Sequence, residues 1–116
     1  MKVFLDDVRN PPNGGWVCIR SVAEAIMLID EGVVEVMSLD HDLGDTEHDP
    51  EWTGNTVVNY IERKVAEDDT YNPPNLMIHS ANPIGRMNMQ AGIANIDKML
   101  AARAPLPAVG EGIDSL

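Results

Sequence analysis

Three short apolar runs in this chain stop abruptly at ionisable residues. Val3-Phe4-Leu5 ends in Asp6-Asp7, Val36-Met37-Ser38-Leu39 in Asp40-His41-Asp42-Leu43-Gly44, and Leu76-Met77-Ile78 in His79-Ser80-Ala81-Asn82. Runs of this kind read as buried parallel strands whose carboxyl ends open into a site. The pattern predicts strands over Lys2 to Leu5, Trp16 to Ile19, about Val34 to Leu39, and Leu76 to Ile78. Between them the period changes to that of helices. Ser21-Val22-Ala23-Glu24 reads as a capping box opening a helix to about Asp30, with Val22, Ala25, Ile26 and Ile29 on its apolar face. Thr53-Gly54 leads into a second helix to about Glu67, striped by Val57, Ile61 and Val65. Asn82-Pro83 reads as an N-cap followed by proline at the first helical position. It opens a third helix to about Ala102, with Met89, Ile93, Ile96 and Leu100 inward.

The remaining stretches read as connections. Asn10-Pro11-Pro12-Asn13-Gly14-Gly15 is a loop, and Asp68 to Pro74 is turn-rich. Asp40 to Trp52 is a long acidic loop carrying His48 and Pro50; its part from Asp45 to Glu51 is a candidate lid. Residues 103–116 read as a loosely held tail after a domain at 1–102. The order β-β-α-β-α-β-α implies a mostly parallel α/β sheet covered on both faces, with ligands outside the carboxyl ends of the strands.

Composition narrows the picture. The chain has 116 residues, 44% of them hydrophobic, enough for one domain with a core that needs no disulfide. The single cysteine, Cys18, reads as a buried structural thiol. A formal charge of −11 repels duplex nucleic acid and anionic membrane, but admits a small anionic ligand where a cation or arginines offset the field. With no apolar span of membrane length and no signal peptide, a cytoplasmic protein is expected. The sequence leaves the oligomeric state open.

The candidate chemistry lies at the strand ends. Asp6, Asp7, Asp40 and Asp42 could converge, and like charges that close call for a divalent cation. Oxygen ligands in this number suit Mg2+ or Mn2+. His41 and His79 are candidate acid and base, with His48 a weaker candidate. Ser80 precedes a helix N-terminus that would favour an anion. Arg9, Arg86 and Asn82 are, with Ser80, the candidate phosphate contacts.

Asp6-Asp7, Asp40 and Ser80 at successive strand ends resemble the receiver domains of two-component signalling. By that resemblance the acidic pair and Asp40 would hold Mg2+, with Asp40 the acceptor and Ser80 the hydroxyl that contacts the phosphoryl group. The wording Phe4-Leu5-Asp6-Asp7-Val8-Arg9-Asn10-Pro11-Pro12, Ser38-Leu39-Asp40-His41-Asp42-Leu43-Gly44 and Ile78-His79-Ser80-Ala81-Asn82-Pro83 is more particular. It resembles the cyclic-phosphate processing receiver-like family over about residues 1 to 100. The resemblance implies a receiver-like (flavodoxin-like) three-layer α/β sandwich with a reduced sheet of four strands. It also implies functional roles for Asp6, Asp7, Arg9, Asp40, His41, Asp42, His79, Ser80 and Asn82. Two departures from ordinary receivers stand out: the Pro-Pro-Asn-Gly-Gly loop replaces a first helix, and no fifth-strand lysine is evident. The expected function is metal-dependent hydrolysis of a cyclic phosphate, such as a cyclic nucleotide. Capture of such a ligand without turnover, or a degenerate phospho-accepting receiver, are the alternatives.

Overall fold

The architecture is that of a computed structural model, which describes residues 1–43 and 53–103. Among them run β1 (Lys2–Leu5), β2 (Val17–Ile19), α1 (Val22–Glu31), β3 (Val36–Leu39), α2 (Gly54–Glu67), β4 (Asn75–Ile78) and α3 (Pro83–Arg103). The order is the one the periodicity predicts. The candidate lid, His48 and residues 104–116 of the expected tail lie outside the described residues.

The helix ends follow local chemistry. The Ser21 hydroxyl accepts from the Glu24 amide, while the Glu24 carboxylate reaches the Arg20 amide at 3.1 Å rather than that of Ser21. Thr53 and Thr56 form a reciprocal capping box that starts α2. Arg103 belongs to α3 rather than to the tail. Its guanidinium donates to the Val65, Asp68 and Tyr71 carbonyls, tying the last turn of α3 to the end of α2.

All strand pairs are parallel, in the order β2-β1-β3-β4. Val3 and Leu5 pair with Met37 and Leu39, and all four are fully buried. These side chains share one core with Val22, Ala25 and Ile29 of α1, Val57, Val58, Ile61 and Val65 of α2, and Met89 and Ile96 of α3. The three helices therefore cover the same face. Handedness explains this. The β2-to-β3 and β3-to-β4 crossovers step the same way across the sheet, so right-handed connections put α1 and α2 on one side, and α3 packs against α2. Only the β1-to-β2 connection steps the other way, and it is the proline- and glycine-rich loop. The receiver-like class stands, with a four-stranded parallel sheet and three helices, but the helical cover expected on the second face is absent among the described residues. That face instead carries Phe4, the aromatic ring of Trp16 set edge-on to it, Ser38 and Met77. Cys18 pairs in register with Phe4 and is half-buried rather than buried.

Candidate functional site

The sheet order makes β1 and β3 neighbours, so their carboxyl ends emerge side by side. The Asp40 amide donates to the Leu5 carbonyl at 3.1 Å and the Asp6 amide to the Ile19 carbonyl at 3.1 Å. The ladder thus runs up to the first residue of the site on two strands. Carboxylate oxygens of Asp6, Asp7 and Asp40 all lie within 4.8 Å of one another. Asp6 and Asp40 are buried, at 1% and 7% exposure, so water screens their mutual repulsion poorly. A cavity of about 470 Å3 opens beside them, lined by all three aspartates with Val8, Arg9, Asp42, Leu43 and Ala81.

Asp6 is held from several sides. Its Oδ1 accepts from the Val8 and Arg9 amides at 2.9 and 2.8 Å, and its Oδ2 faces His79 Nε2 at 3.1 Å. Burial alone would raise its pKa. The Arg9 and Val8 amides and His79 outweigh that and hold the carboxyl below its usual range. The Arg9 Nε stands 4.0 Å from Asp6 Oδ2, while its Nη1 donates to the His79 carbonyl. Arg20, which the sequence reading passed over, clamps this turn: its guanidinium donates to the Asp6 and Arg9 carbonyls and to Asn10 Oδ1.

Asp42 lines the same cavity but stands apart from the three clustered carboxylates. The strand has ended at Leu39, and the chain bends at His41. Asp42 Oδ1 then meets His41 Nδ1 at 3.0 Å and accepts from Asn82 Nδ2 at 3.1 Å. These two bonds, that of His41 first, hold Asp42 below the usual carboxylate range. Two glycines make room for this bend. A Cβ on Gly54 would land on the Asp40 carbonyl, and one on Gly85 on the His41 ring. The Gly54 amide donates to the His41 carbonyl at 3.1 Å, which sews the turn to the start of α2.

The β4 end is arranged differently from the expectation. Ser80 is buried at 3% exposure, and its hydroxyl oxygen accepts from the Asn82 amide at 3.1 Å. Asn82 Oδ1 accepts from the Gly85 amide at 3.0 Å, the N-cap predicted for α3. The Arg86 amide donates to the Asn82 carbonyl, and Pro83 has no N–H, so much of the helix N-terminus is satisfied from within the chain. The Arg86 guanidinium donates to the Ser80 carbonyl at 3.1 Å and braces the loop. Of the expected phosphate contacts, Arg9 lines the cavity, whereas Ser80, Asn82 and Arg86 do not.

His79 is held on three sides. Its ring stacks on Phe4 with centroids 4.1 Å apart and planes 7° from parallel. Its Nδ1 meets Ser38 Oγ at 2.7 Å and its Nε2 meets Asp6. Ser38 was missed in the sequence reading, although a lone hydroxyl within an apolar run is a signal of a buried polar partner.

Three hard oxygen donors from adjacent turns suit Mg2+ or Mn2+ with water completing the shell. The acidic cluster could hold such an ion. Residues 1–95 match the family described as the cyclic-phosphate processing receiver domain, and the chain belongs to that family. Neither a curated protein nor a solved structure matches the chain. Among the described residues, no helix is long and apolar enough to cross a membrane.

Proposed function

We propose that this chain hydrolyses a small cyclic phosphate, of the cyclic-nucleotide kind, with the help of a divalent cation held by Asp7 and Asp40. The observation that carries the reading is the convergence of Asp6, Asp7 and Asp40 at the edge of a ligand-sized cavity in a member of this family. Asp6, with two backbone N–H donors on Oδ1 and His79 against Oδ2, suits an indirect role through water. When bound, Mg2+ or Mn2+ would polarise a phosphoryl oxygen and acidify an attacking water.

The side chains supply the rest. Arg9 lines the cavity and offers a fork to the phosphate oxygens. His41 donates Nδ1–H to the ionised Asp42, which leaves Nε2 as the lone-pair nitrogen for proton transfer. His79 has both ring nitrogens engaged, so the proton-transfer role falls to His41. Asn82 holds Asp42, and through it His41. Ser80 and Arg86 brace the loop that presents Ala81 to the cavity.

The test is incubation with cyclic mononucleotides, 2′,3′-cyclic nucleotides and cyclic dinucleotides in Mg2+, Mn2+ or EDTA. Product is expected only with the cation, and its rate is expected to fall at least about 100-fold in Asp40→Asn and His41→Ala. Tight binding of a cyclic phosphate with no product under any condition would leave a capture module instead. Acyl-phosphate on Asp40 from a small phosphodonor would establish a phospho-accepting receiver.

A further inference from the structure

The sheet face that no described helix covers carries a hydrogen-bonded line from Ser38 through His79 to Asp6. Ser38 and Phe4 occupy paired positions on β3 and β1, and the His79 ring lies over Phe4. Ser38 is 4% exposed, so its hydroxyl has little water to turn to and makes a 2.7 Å bond to His79 Nδ1. On the opposite edge of the ring, Nε2 lies 3.1 Å from Asp6 Oδ2. We infer that Ser38 is a positioning residue for the carboxylate site: its hydroxyl anchors His79 Nδ1 and holds the ring with Nε2 turned to Asp6, and so fixes the direction in which Asp6 faces its neighbours.

Donor counting decides between the two tautomers. A neutral imidazole has one N–H and one lone pair. With the proton on Nδ1, the Nε2 lone pair would confront the Asp6 carboxylate at hydrogen-bonding distance. With the proton on Nε2, the ring donates to Asp6 and Nδ1 accepts the Ser38 O–H. Only the second arrangement satisfies all three groups. Asp6, which can only accept, calls for the proton on Nε2; Phe4 sets the plane of the ring, and Ser38, whose hydroxyl can donate or accept, anchors the ring within that plane through Nδ1. Asp6 then has Oδ1 filled by the Val8 and Arg9 amides and one position on Oδ2 filled by His79. Its remaining acceptor direction on Oδ2 is thereby fixed relative to Asp7 and Asp40. The residue controlling this lies 41 positions from His79 in sequence and is not itself a ligand.

The inference deepens the cation reading and rests on it in part, so its test has two readouts. Long-range 1H–15N correlation of the full-length protein reports the His79 tautomer directly, and Mn2+ titration reports cation affinity. The wild type is expected to show a bare Nδ1 and a protonated Nε2. Ser38→Ala is expected to shift the His79 ring resonances, as Nδ1 loses its hydrogen bond, and to weaken Mn2+ binding by about tenfold, the usual scale for a residue that orients a ligand. Ser38→Thr, which keeps the hydroxyl, is expected to restore both. A wild-type proton on Nδ1 overturns the inference, and so does a folded Ser38→Ala that binds Mn2+ as tightly as the wild type. Should the wild type bind no Mn2+, the cation reading falls, and the His79 ring resonances decide the role of Ser38 alone: resonances left unchanged in Ser38→Ala overturn it. Should Ser38→Ala fail to fold, the wild-type tautomer and the Ser38→Thr affinity decide it.

Discussion

Gly54 and Gly85 shape the Asp40-His41-Asp42 turn by what they lack. Each sits in a helix, where alanine would be favoured by up to about 1 kcal/mol. At Gly54 the added Cβ would meet the Asp40 carbonyl, a backbone group that cannot swing aside. At Gly85 it would meet the His41 ring, which can turn at the cost of its bond to Asp42. Overpacking of this kind costs about 1–3 kcal/mol, so the clash outweighs the propensity gain at Gly54. In urea denaturation, Gly54→Ala is expected to lose more stability than Gly85→Ala, whereas Gly85→Ala is expected to shift the His41 ring resonances more. A Gly54→Ala protein as stable as the wild type would contradict the close approach. Neither role could be read from the sequence, because what crowds a glycine comes from another part of the chain. The same holds for Arg20, whose three acceptors all lie in the β1–β2 turn. Asp6 and Asp40 were legible because each directly follows an apolar run, and Asp7 because it stands next to Asp6.

At the scale of elements, the strands and helices were legible to within one or two residues at most ends, because strand length, caps and apolar stripes are local properties. The cover of the sheet was not. It depends on the direction each crossover takes, which strand order decides. The lateral contacts between helices were also hidden, and one gives a pH prediction. The Tyr60 hydroxyl on α2 donates to Asp30 Oδ1 on α1 at 2.6 Å, and Lys64 Nζ stands 3.6 Å from the same oxygen. The Asp30 hydrogen bond raises the Tyr60 pKa; burial, aided by Asp30, raises that of Tyr71. A raised folded pKa means stabilisation that is complete below the unfolded value of about 10 and is lost as pH rises through the higher folded value. Ultraviolet titration is expected to show both phenols ionising above about 10, with the Tyr60 step moving down in Asp30→Asn. A Tyr60 step that stays in place would show that the contact does not govern it.

For the molecule as a whole, a formal charge of −11 sits on a chain that gathers three carboxylates at one point. Self-repulsion there opposes folding, and a cation that binds the folded state alone offsets it. At about 100 times its dissociation constant, such a cation adds about 2.7 kcal/mol, or roughly 10 °C in melting temperature for a domain of this size. Calorimetry is expected to show that rise with Mg2+ or Mn2+, its reversal by EDTA and its absence in Asp40→Asn. An equal rise with KCl at matched ionic strength would assign it to screening and sink the specific site.

The one-sided cover of the sheet separates two kinds of work. Leu5, Met37 and Leu39 look toward the helices and hold the molecule together, while Phe4, Ser38 and His79 look away and hold a carboxylate in place. Successive positions on β1 and β3 thus answer to different demands: one set to how well the core is filled, the alternate set to how the carboxylate is held. Chemistry can therefore drift in this chain without the core having to be refilled, since every second residue of the same strands is released from it.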